Sequence, residues 1–153
     1  MKKIIITLVF VLGTISLQAQ ELYWENNVNK AIEVSKKTKK PMLMFFTGSD
    51  WCGWCIRLQK EVFKTPEFAT WAKQNVVLVE LDYPRAKAQT NEIKQQNAQL
   101  QQIFGIQGYP TVHFATVTET KGKINFQSLG NTGYVAGGPS AWLGVANGIL
   151  KKK

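Results

Sequence analysis

Two cysteines, Cys52 and Cys55, stand two residues apart in Trp51-Cys52-Gly53-Trp54-Cys55, and the chain has no others. An apolar run, Met42-Leu43-Met44-Phe45-Phe46, leads into them. The run has strand length and no polar break, as expected of a central strand buried on both faces. After the pair, apolar positions at Cys55, Ile56, Leu58, Val62 and Phe63 predict a helix from Cys52 to about Lys64 with one buried face. A strand that ends just before Cys52 and a helix that starts at it put the Cys52 sulfur at a helix N-terminus. There the unpaired N–H groups and the helix dipole favour an anion. Thiolate is the nucleophile in disulfide exchange, and such a site lowers a cysteine pKa to roughly 3.5–7.5. Cys55, one turn on, is placed to attack a mixed disulfide formed at Cys52.

Three other readings of the pair compete. A structural zinc site usually takes four ligands, and the chain offers two cysteines and one histidine, His113; no metal site is expected. Covalent haem attachment needs a histidine straight after the second cysteine, where Ile56 stands. A purely structural disulfide would close so short a loop that it would constrain little of the unfolded chain.

The first 20 residues read as a secretory signal: Lys2 and Lys3, an apolar stretch from Ile4 to Leu17, and Ala19 near a cleavage point. The stretch is short for a membrane span of about 20 apolar residues. An uncleaved anchor is the alternative. The expected location is therefore periplasmic or otherwise extracytoplasmic. Residues 21–153 are long enough for one domain with a real core. Removing Lys2 and Lys3 leaves seventeen basic against ten acidic residues, a net charge of +7. The lysines are dispersed, with no arginine-rich or aromatic–basic stretch, so nucleic acid is not an expected partner.

Along the chain, Trp24, Val28, Ala31, Ile32 and Ser35 predict a helix from Glu21 to about Lys39, ended by Lys40-Pro41. Thr47-Gly48-Ser49-Asp50 reads as the loop before the cysteines. Thr65-Pro66 starts a second helix, with Thr as N-cap and Pro at the first position. Val76 to Leu81 reads as a second buried strand. Ala86 to Phe104 reads as a long glutamine-rich helix closed by Gly105. Val112–Val117 and Ile124–Leu129 read as strands joined by a Lys121-Gly122-Lys123 turn, and Ala141–Leu150 as a final helix. This order predicts an α/β domain: a central mixed sheet, parallel in part and ending in an antiparallel hairpin, flanked by helices, with an extra N-terminal helix. The cysteines fall at the C-terminal end of the first strand, where open α/β sheets place their sites.

With Tyr109-Pro110-Thr111 entering a strand as a second motif, the chain from Pro41 to Leu150 resembles the thioredoxin superfamily. Finer features are similar to exported bacterial thioredoxin-like proteins, including the C-terminal domain of the disulfide-reducing membrane protein family: the leading helix, the Lys-Lys-Pro entry, Phe-Phe-Thr-Gly-Ser-Asp before Trp51, and Glu-Val-Phe at 61–63. The resemblance implies a thioredoxin-like fold and a cis-proline at Pro110 facing the cysteines. It implies a groove in which substrate chain pairs with the backbone at Tyr109. Trp51, Gly53, Trp54, Tyr109 and Pro110 are the candidate groove residues, with Cys52 and Cys55 as the catalytic pair.

The chain departs from cytosolic thioredoxin in its Gly53-Trp54 dipeptide. It also lacks the buried aspartate that helps move the proton of the second cysteine, since Phe45 and Phe46 fill that stretch. Glu80, which interrupts the second apolar strand, is the candidate proton acceptor for Cys55; otherwise it points outward at the strand end. Trp51 is expected to pack beside the site, Trp54 to be exposed, and His113 to be a strand residue at the core edge. Asp50 would raise the Cys52 thiol pKa if it came close.

The expected function is a thiol–disulfide oxidoreductase acting on protein or peptide disulfides outside the cytoplasm, as reductase or isomerase. It would need no cofactor beyond the Cys52–Cys55 disulfide, would draw electrons from a membrane donor, and would act as a monomer. The alternatives are an oxidase that donates its disulfide, a non-catalytic peptide-binding module of the same fold, and a metal carrier using both cysteines between two chains.

Overall fold

The computed structural model describes residues 22–151; the secretory signal expected at residues 1–20 lies outside the described residues. Four strands form one sheet in the order β2-β1-β3-β4, with β1 at Met42–Thr47, β2 at Val77–Asp82, β3 at Thr111–Thr120 and β4 at Lys123–Thr132. β1 runs parallel to β2 and antiparallel to β3, and β3 and β4 form a hairpin. Among the described residues five helices flank the sheet: α1 (Val28–Thr38), α2 (Gly53–Leu58), α3 (Pro66–Asn75), α4 (Asn91–Ile103) and α5 (Gly138–Leu150). This is the mixed α/β arrangement expected. None of the helices among the described residues is long and apolar enough to cross a membrane.

Every residue of β1 is buried, and its side chains alternate between two cores. Leu43 and Phe45 join Cys52, Cys55, Leu58, Phe63, Phe68 and Trp142 on one face. Met42, Met44 and Phe46 join Val79, Leu81, Ile32 and Leu100 on the other. The first core is an aromatic nest: Phe63 lies 4.6 Å from Phe68 and 5.0 Å from Phe45, centroid to centroid. It forms the floor under the cysteines.

Local chemistry explains most of the boundaries. Thr65 accepts the Phe68 N–H and Pro66 opens α3. Lys121 and Gly122 both take positive φ, as a two-residue hairpin turn of the primed type requires. Beyond Leu58, a π-helical turn (Gln59–Phe63) continues α2, with the Lys64 N–H bonded to the Gln59 carbonyl.

Two helix expectations are corrected. Residues 22–27 are extended, not helical: Glu25 bridges β2 in parallel through the Leu78 carbonyl and the Glu80 N–H. Trp24, counted in the helical stripe, packs instead on Phe45, Phe63 and Phe68. The helix begins after Asn27, whose side chain accepts from Asn29 and Lys30. The glutamine-rich helix begins at Asn91 rather than near Ala86, where Thr90 caps the Ile93 N–H.

Candidate active site

β1 delivers the chain to a tight turn in which the Gly48 carbonyl accepts the N–H groups of Trp51 and Cys52, at 3.3 and 2.9 Å. Cys52 is thereby the N-cap of α2, with extended backbone, and its Sγ accepts the Cys55 N–H at 3.2 Å. The sulfur occupies the place an N-cap oxygen usually takes, at the positive end of a helix that runs on to Phe63. Cys52 and Cys55 are joined as a disulfide, with their Cα atoms 5.2 Å apart. They are not equivalent: Cys52 keeps 7% exposure and Cys55 has none.

The turn is held from β2. Asp82 accepts both the N–H and the hydroxyl of Ser49, at 2.8 and 2.6 Å, and the Tyr83 N–H reaches the Thr47 carbonyl. Asp50 accepts the backbone N–H groups of Arg85 and Ala86. Those amides hold its carboxyl below the usual carboxylate range. Its charge is committed to the loop after β2.

Trp51 donates its indole N–H to the Tyr83 carbonyl at 2.8 Å and stands edge-on to Tyr109. The Arg85 guanidinium lies 4.1 Å from its ring centroid. Tyr109 also packs on Tyr83, and burial pushes both phenols up. The Tyr109–Pro110 peptide bond is cis. Trp54, in the first turn of α2, is 56% exposed and lies against Tyr134 at 5.1 Å. Arg57 covers both rings and pairs with Glu61, which also accepts the Tyr134 hydroxyl. Gly53 is exposed, and a Cβ there would meet nothing. Tyr83, Arg85, Arg57 and Tyr134 escaped the sequence reading. Tyr83 and Arg85 follow a strand end and Tyr134 follows β4, so only the fold brings these three to the tryptophans beside the cysteines, whereas Arg57 stands two residues after Cys55 on the same helix.

Glu80 pairs with Phe45 in the sheet and is partly buried. Its Oε1 accepts from Gln59 at 3.3 Å, and the Gln59 N–H in turn bonds the Cys55 carbonyl. One side chain thus links Glu80 to the helical turn that carries Cys55. Burial first, and then Asp82, raise the Glu80 pKa, with Lys87 opposing. His113 is buried on the opposite sheet face, against Phe104 and Ser128, and burial lowers its pKa; it has no place at the sulfurs.

The thioredoxin-like domain family model matches residues 28–131. A disulfide bond reductase, DsbH of Chlamydia pneumoniae, is 34% identical over 135 residues, which span 88% of this chain and 76% of that protein. The thiol:disulfide interchange protein DsbD of Vibrio vulnificus is 33% identical over 87 residues, 57% of this chain but 13% of that protein. A solved structure of a DsbH oxidoreductase superimposes with a TM-score of 0.78 at 30% identity and covers 96% of both chains.

Proposed function

This chain belongs to the thioredoxin-like family of thiol–disulfide oxidoreductases, and from that membership we propose that it acts on protein disulfides outside the cytoplasm as a reductase or isomerase. The observation that carries the reading is the inequality of the two sulfurs. Cys52 caps a helix and touches solvent, whereas Cys55 is sealed beneath it. An attacking sulfur needs thiolate character and access. A resolving sulfur needs only to reach its neighbour.

In the reducing direction, the Cys52 thiolate attacks one sulfur of a substrate disulfide. The substrate S–S bond breaks and its other sulfur leaves as thiolate. Glu80, positioned through Gln59, takes the Cys55 proton, and the Cys55 sulfur then attacks Cys52. The second substrate sulfur departs, and two electrons have passed to the substrate. Trp51, Gly53, Trp54, Tyr109 and Pro110 form the groove that receives substrate chain. The disulfide is the redox centre and no cofactor is required. The relative named a reductase and the match to DsbD support reduction fed by a membrane electron donor. The secretory pattern in the sequence of residues 1–20 supports export, and the acting unit proposed is a monomer.

The direction is tested by equilibrating the protein against a glutathione or dithiothreitol series, read by tryptophan fluorescence. A potential near the roughly −270 mV of thioredoxin is expected of a reductase; a value near −120 mV makes the protein an oxidant and sinks the preferred direction. Glu80→Gln tests the proton acceptor. A carboxyl with a raised folded pKa costs stability as pH climbs from its ordinary value through the raised one. The variant is therefore expected to be more stable than the parent above that window. Its mixed-disulfide resolution is expected to lose the pH midpoint that Glu80 sets; an unchanged pH–rate profile removes Glu80 from the mechanism.

A further inference from the structure

The last residue of β1 has no part in the chemistry above. Thr47 is 0% exposed, and its Oγ1 finds no hydrogen-bond partner among the described residues. A buried hydroxyl without a partner is rare in a core and asks for a reason. Its place in the sheet is specific. Leu43 and Phe45 pack in the core that holds both cysteines, while Met42, Met44 and Phe46 pack in the other. Strand alternation therefore turns Thr47 toward the cysteine face. Thr47 lies opposite Asp82 on β2. On the other side Phe46 lies opposite Thr111, so the next step of that antiparallel register sets Pro110 across from Thr47. The following residue, Gly48, receives the Cys52 N–H. The idle hydroxyl thus ends the central strand between the cis-proline motif and Asp82, on the side where the disulfide sits.

We propose that Thr47 Oγ1 is the hydrogen-bond donor to the Cys55 sulfur when the disulfide is open. The proposal rests on Cys52–Cys55 cycling between disulfide and dithiol. When a reductant thiolate attacks Cys52, a bond forms between the reductant sulfur and the Cys52 sulfur, and the Cys52–Cys55 bond breaks. Its electron pair goes to the Cys55 sulfur, which leaves as thiolate. That sulfur has no exposure, and a buried anion is costly unless a donor meets it. A hydroxyl bond to a charged acceptor is among the stronger hydrogen bonds. In the disulfide neither sulfur carries charge, and the hydroxyl has nothing to serve.

The charged groups on neighbouring elements do not fill this role. Glu80 and Asp82 on β2 are acids, and Asp82 is held by Ser49. Asp50 is held by the amides of Arg85 and Ala86, Lys87 reaches the Ser49 hydroxyl, and on α2 Arg57 is committed to Glu61. His113 lies on the other face of the sheet.

The test compares Thr47→Val, which keeps the shape, with Thr47→Ser, which keeps the hydroxyl. Reduction of the Thr47→Val disulfide by dithiothreitol is expected to slow about tenfold, the size of a hydrogen bond to a charged group. The upper pH midpoint of Cys55 attack on a trapped mixed disulfide, that of the thiol itself and separate from the one Glu80 sets, is expected to rise by about one unit, the same free energy expressed as a pKa. Thr47→Ser should retain both parent values, which a packing role for the lost group would not require. Thr47→Val matching the parent in rate and midpoint overturns the donor and leaves the redox reading standing. A parent disulfide that fails to exchange with dithiothreitol overturns both. If Thr47→Val does not fold, the parent itself decides: a slowly exchanging Thr47 hydroxyl proton is expected by NMR only in the dithiol form, and the same hydroxyl signal in both forms overturns the proposal.

Discussion

The two tryptophans that bracket Cys52 sit in opposite kinds of surroundings. Trp51 is built into the loop: its N–H is bonded to Tyr83, Arg85 and Tyr109 hold its ring, and a Cβ on Gly48 would lie 2.4 Å from it. Trp54 lies against the Tyr134 ring and the Arg57 guanidinium and keeps most of its surface in solvent. One side of the disulfide is therefore a wall joined to β2, and the other is a platform presented outward. The same residue type, three positions apart, supplies rigidity in one place and contact surface in the other. Hydrogen bonding and long-range packing decide which.

Trp51→Ala should lose about 2 kcal/mol by denaturant unfolding, less than a fully buried tryptophan, because part of the ring already faces water. Gly48→Ala should cost about 1–2 kcal/mol, since the new methyl forces the Trp51 ring aside. In the double variant the two losses should fail to add, because the methyl then has room; additive losses would mean that the ring is not what Gly48 accommodates. Trp54→Ala should move stability by less than about 0.5 kcal/mol, as for an exposed site, while raising KM for a protein disulfide several-fold and leaving reduction by dithiothreitol unchanged. A large stability loss there would make Trp54 a second wall. The smallest effect is at Asp50. Its lowered pKa means that it stabilises the fold fully above the ordinary aspartate range, and that this is lost as pH falls through the lower folded value. Asp50→Asn should remove that part of the acid-induced loss, read as a flatter stability curve below the ordinary aspartate range.

The sequence carried the wall and the platform unequally. Local signals were legible: the apolar β1, the Thr65-Pro66 cap, the Lys121-Gly122 turn and the cysteine pair each depend on neighbours within a few residues. The partners of the tryptophans were not, because Tyr83 and Arg85 lie more than thirty positions beyond Trp51, and Tyr134 lies eighty beyond Trp54. The misread helix start has the same cause. Trp24 falls in helical step with Val28 and Ala31, but the open edge of β2 and the aromatic core claim that segment first. Thr47 read as loop, yet it is the last residue of the central strand; a single polar residue beside glycine gives no local sign that a sheet continues through it.

The Glu25 bridge to β2 has a consequence for the state of association. β2 ends the sheet, and its outward-facing Leu78 carbonyl and Glu80 N–H are occupied by the backbone of Glu25 alone. The Glu25 carboxylate keeps that short segment in shape by accepting the Asn27 N–H and the Tyr23 hydroxyl. An unpaired sheet edge is a template for another strand. A chain trimmed to begin at Asn27 would keep every helix among the described residues and both cysteines, yet offer that edge to a second copy of itself. The five residues 22–26 thus act as a guard against polymerisation.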